Sequence, residues 1–98
     1  MNDFSQILDQ LINISIQKVF TSGVMVHEYW VDKHDLNRQR ITSQLVSDCQ
    51  QLAEERGVEC VYLEHRGAFN ITVNLNYCRL SVTQSRNLSD ALAASYQG

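Results

Sequence analysis

Proline is absent from the 98 residues, which excludes a proline-rich spacer or recognition segment. Charged residues make up only 19% of the chain against 44% hydrophobic ones, too little charge and too much apolar surface for a disordered polypeptide. There is no run of about 18 uncharged apolar residues, so no membrane partner is expected. The eight Lys and Arg residues are scattered, and only Arg38 and Arg40 lie close together. With a formal charge of −3, the chain has no basic stripe to follow a phosphate backbone, which disfavours nucleic acid as a partner. Met1-Asn2-Asp3 carries no basic residue and Asp9 interrupts the first apolar stretch, which argues against a secretory signal.

Cysteine is also scarce. Cys49, Cys60 and Cys78 are odd in number and lack metal-type spacing, and free thiols suit a reducing cytoplasm. Without export, the sequons at Asn13, Asn70 and Asn87 carry no weight. For 11.2 kDa, size scaling gives about 5,700 Å² of folded surface against about 16,000 Å² unfolded, enough burial for one core. Residues 1–98 are therefore expected to form a single domain.

The apolar residues that are present repeat in readable periods. Asp3 with Gln6 makes a capping box ahead of Phe4, Ile7, Leu8 and Leu11, which predicts a helix to about residue 20. Ile12, Ile14 and Ile16 alternate in a strand-like way within it. Thr21-Ser22-Gly23 breaks the helix, and the β-branched and aromatic stretch 24–31 predicts a strand. Asp35 offers an N-cap before Leu36; Ile41, Leu45, Cys49 and Leu52 then repeat at helical spacing up to a stop at Gly57.

After Gly57 the period switches from 3.6 to 2, and 58–64, 68–74 and 77–83 read as an antiparallel meander. A three-residue turn at His65-Arg66-Gly67 sets Leu63 opposite Phe69, and a tight turn at Leu75-Asn76 sets Val73 opposite Cys78. Both registers place Val61, Phe69, Ile71, Val73, Leu80 and Val82 inside, under Ile41, Leu45 and Leu52. Asn87 would cap a short last helix. The order α-β-α-β-β-β-α implies an α+β, two-layer fold: one mostly antiparallel sheet of about four strands with helices on one face. The partner of the first strand is left open.

In this register the other sheet face shows Cys60, Tyr62, Asn70, Thr72, Asn74, Tyr77, Arg79 and Ser81. A solvated face is the plain reading. Tyr and Arg are also typical interface anchors, which makes it a partner surface, and Trp30 on the exposed side or edge of strand 24–31 is a further anchor. Candidate interface residues are therefore Trp30, Tyr62, Asn70, Thr72, Asn74, Tyr77 and Arg79.

No residue is assigned to catalysis, a cofactor or a metal. His27, Asp32, His34 and Asp35 have ligand chemistry, yet match neither a zincin nor a calcium-loop pattern. Neither G-x-S-x-G nor G-x-x-x-x-G-K-[ST] occurs. Cys49 and Cys78 are expected in the core, leaving Cys60 as the reactive thiol. The expectation is a small non-enzymatic protein-interaction module, paired with itself as a homodimer or bound to another protein. The alternative is a small-molecule binder or small enzyme with a pocket near segment 27–34. Lack of motifs at this size also fits small bacterial accessory proteins, on frequency alone.

Overall fold

A computed structural model describes residues 3–80, 85, 86, 88–90 and 93. Its elements are α1 (Asp3–Ser22), β1 (Val26–Asp32), α2 (Ser43–Glu55), β2 (Glu59–Leu63) and β3 (Ala68–Asn74). Helices and an antiparallel sheet of three strands combine in an α+β fold, the sheet running β1-β3-β2.

Four-residue spacing decides α1. Phe4, Leu8, Ile12 and Ile16 are all buried, while Ile14 faces outward, so the alternating isoleucines belong to a helix after all. Thr21 and Ser22 donate their hydroxyls to the Lys18 carbonyl, and Gly23 closes the helix at φ 74°. Helix α2 begins later than the sequence suggests. Asn37 and Arg38 have φ of 57° and 58°, which no right-handed helix accommodates, so 33–38 is a turn. Thr42, rather than Asp35, caps α2, its hydroxyl accepting the Leu45 amide at 3.1 Å. Gly57 ends α2 as expected, at φ 65°.

In β3, Phe69, Ile71 and Val73 are buried, as their alternation implied. They pack with the apolar side of α1 and with Val31, Leu36, Cys49, Ala53 and Val58; Ile41, Leu45 and Leu52 border this core. The Arg56 guanidinium donates to the Asp9 carboxylate and the Ser5 hydroxyl, tying the end of α2 to α1.

Two strand expectations fail. The β2–β3 loop has four residues, Glu64-His65-Arg66-Gly67, so Leu63 pairs with Ala68 and Tyr62 with Phe69. A slip of one residue turns a strand over. Cys60 and Tyr62 thus face the core, and Val61 and Leu63 share the opposite side. Segment 77–80 forms no strand beside β3. It leaves Asn74 in a turn and docks on the end of α2, the Arg79 amide donating to the Arg56 carbonyl at 2.7 Å. The place beside β3 goes to β1, in register from Val26–Asn74 to Asp32–Ala68. Residues 81–83 of the expected strand, and the cap at Asn87, fall outside the described residues; Leu88 packs against the core.

Candidate interaction surface

Helices α1 and α2 lie on one side of the sheet. The other side is set by strand parity: Val26, Glu28 and Trp30 from β1, Asn70, Thr72 and Asn74 from β3, and Glu59, Val61 and Leu63 from β2. Register aligns Trp30, Asn70 and Val61 in one row across the strands, and Glu28, Thr72 and Glu59 in the next. Three apolar side chains stand out on this face: Trp30, Val26 and Val61 keep 42%, 45% and 52% of their surface exposed. Over the Trp30 ring lies the Arg66 guanidinium, 4.1 Å from its centroid, in a cation–π contact that holds a cation at this face.

The candidate residues named from sequence divide into three groups. Trp30, Asn70, Thr72 and Asn74 come together on the outer face. Tyr62 does not: its ring packs on Phe69 with centroids 5.0 Å apart, on the core side. Tyr77 is exposed in the turn after β3, and Arg79 borders a groove with Gln51, Glu54 and Glu55 along α2, so neither joins the sheet face. Val61, Leu63 and Arg66 were missed. The signal was Glu59, because turning Val61 inward turns Glu59 inward as well, and an unpaired carboxylate does not belong there.

On the core side of β1, His27 and Tyr29 face α1. The Tyr29 hydroxyl shares a hydrogen bond of 2.9 Å with the buried Ser15 hydroxyl, and the Lys18 ammonium sits 5.2 Å from the Tyr29 ring centroid. Both ring nitrogens of His27 are enclosed without a hydrogen-bond partner. Burial, helped by the Lys18 charge, holds its pKa below the ordinary 6.5.

The acidic groups of 32–35 are occupied by the turn. Asp32 accepts the backbone amides of His34 and Asp35, and Asp35 accepts that of Asp32 at 2.9 Å. Amide donation, that of Asp35 first, lowers the Asp32 pKa. Among the described residues no three His, Cys, Asp or Glu side chains gather to hold a metal.

All three cysteines are free. Burial pushes the Cys49 thiol up to about 11, and that of Cys60, turned inward by the register, up to about 12. The reactive thiol expected at Cys60 is therefore not one by environment. Among the described residues no helix is long and apolar enough to cross a membrane. Compared with known protein families, with curated proteins and with solved structures, the chain matches none.

Proposed function

We propose that this chain is a non-enzymatic protein-interaction module that works by pairing with a second copy of itself through the exposed strand β1 around Trp30. One observation carries this reading. Around Trp30 and Val26 of β1 no described element covers the outer side of the sheet; the polar Asn70, Thr72 and Asn74 stand beside them on β3, and the Arg66 guanidinium lies over the Trp30 ring. An exposed aromatic anchor with hydrogen-bonding groups and an arginine next to it is a common build of a contact surface. A small domain also gains buried surface by association. The free thiols support a reducing, cytoplasmic setting. A small-molecule site near 27–34 has less behind it, because Asp32 and Asp35 already serve the turn amides.

Sedimentation equilibrium at micromolar concentration is the test. The expected species has twice the 11.2 kDa mass of the chain, and Trp30→Ala weakens it about tenfold, as loss of an anchor does. A species of 11.2 kDa throughout overturns the reading.

A further inference from the structure

We infer that two copies join edge to edge, β1 against β1 in antiparallel fashion, with Glu28 of each strand opposite Trp30 of the other. The result is one six-stranded sheet. This rests on the self-pairing reading above and adds the seam and its register.

Backbone direction is the first support. No described strand lies on the outer side of β1. The Leu75 amide donates to the Met25 carbonyl at 3.0 Å, which continues the β1–β3 ladder. Alternation along an antiparallel pair then points the backbone groups of His27, Tyr29 and Val31 at β3, and those of Val26, Glu28, Trp30 and Asp32 at the open edge. Asp32 bears this out, since its amide is taken by the Asp35 carboxylate and not by β3. That capped amide ends the available edge at Asp32. Upstream of it, β1 has no proline, no lysine and no bulge in its register; Glu28 is the one charge on that stretch of the edge, and it restricts which registers can form.

Charge selects the register. Pairing two such edges about a twofold axis requires even-numbered residues to meet even-numbered residues. Three registers keep most of the strand paired. One sets Glu28 against Glu28, and another sets Glu28 against Asp32; like charges directly opposite are destabilising. The third sets Glu28 against Trp30 with Tyr29 on the axis, and Val26 then meets only the carbonyl of Asp32, whose amide is already held by Asp35. Only this register brings Glu28 beside a cation, because the Trp30 ring it meets carries Arg66 at 4.1 Å. Each subunit contributes one Glu28 and one Arg66, so the seam is satisfied twice.

The helix layer agrees. Ser5 and Asp9 of α1 reach Arg56 at the end of α2, whereas Ser15 and Lys18 reach Tyr29 on β1. The flank of α1 on the β1 side therefore holds Ile7, Leu11 and Ile14. Ile7 and Leu11 are partly buried and Ile14 is 40% exposed, an apolar stripe beside the open edge. A second copy seated on β1 sets its own stripe against this one. The opposite edge is less suited: β2 is shorter, and Glu54 and Glu59 line the groove beside it, so a twofold contact there gathers carboxylates.

Charge exchange tests the seam by sedimentation equilibrium on the full chain, with circular dichroism confirming the fold of each variant. Glu28→Arg and Arg66→Glu should each raise the dimer Kd about tenfold, and the double exchange should return it to within about threefold of the parent. Ile14→Lys should weaken the dimer, while Val61→Lys, away from the seam, should leave it unchanged. A dimer that Val61→Lys dissociates and Ile14→Lys does not, or one without rescue by the exchange, overturns the edge seam and leaves self-association standing. A monomer overturns both.

Discussion

From Phe69 to Asn74 of β3, each side chain has a neighbour, one residue away, with the opposite fate. Phe69, Ile71 and Val73 are enclosed by α1, β1 and the residues around α2, whereas Asn70, Thr72 and Asn74 remain partly exposed on the far side. The backbone contributes the same ladder to both sets, so the difference lies wholly in what the side chains meet. On the enclosed side, stability comes from removing apolar surface from water and filling space. On the open side, polar groups keep their water and stability depends little on their identity, which leaves that face free to be shaped by a partner.

Substitutions on the two sides should separate by magnitude. Phe69→Ala removes a fully enclosed ring that touches Phe4 and Tyr62, and should cost about 3–5 kcal/mol in urea unfolding. A loss below about 1 kcal/mol there would mean that the site is not the centre of the core. The parity of β2 sharpens the contrast. Tyr62→Ala should lower stability by about 2–3 kcal/mol, against less than about 0.5 kcal/mol for Val61→Ala. The reverse ranking would restore the three-residue turn.

A smaller effect concerns His27 on the enclosed side. Its folded pKa lies below the unfolded value, so its contribution is whole above pH 6.5, where both states are neutral, and falls as pH drops through 6.5 toward the lowered value. The urea midpoint should therefore fall between pH 7.5 and 5.5, and His27→Leu should reduce that fall. Equal pH dependence in parent and variant would show that the imidazole is solvated. Smallest of all, Thr72→Ala on the open side should change the midpoint by no more than about 0.5 kcal/mol equivalent.

Where the sequence is patterned on one face only, it can be read. The alternation of 68–74 marks β3, the four-residue repeat through Cys49 marks α2, and Gly57 marks its end. β2 is apolar on both sides: Cys60 and Tyr62 alternate with Val61 and Leu63, so hydrophobicity assigns no parity. The turn had to decide, and a loop of three residues is as plausible from composition as one of four. Glu59 argues for the observed parity, while Glu64, at the end of the stretch 58–64, argues for the other. Segment 77–80 alternates well enough for a strand, yet the Tyr77 and Cys78 amides donate back to the Asn74 carbonyl and the Arg79 amide donates to that of Arg56. A Cβ at Gly57 would lie 2.6 Å from the Tyr77 carbonyl, a close approach that no local pattern announces. As for the candidate surface, Asn70, Thr72 and Asn74 follow from strand parity alone, whereas Trp30 joins them only because β1 pairs with β3. Arg66 does not follow from parity, because only the fold brings the turn over the Trp30 ring.

The strand order β1-β3-β2 also governs how the chain finds its fold. The β2–β3 hairpin closes over four residues and needs little search, whereas β1 reaches β3 only after the whole of α2 and β2 has been laid out between them. Closing the longer loop costs more entropy and comes with the slower kinetics of non-local pairing. Until β1 docks, β3 is paired along its β2 edge only, and Phe69, Ile71 and Val73 lack their full cover. The strand that completes the core late is an edge strand among the described residues, so crowding during synthesis bears on the core before β1 has closed it.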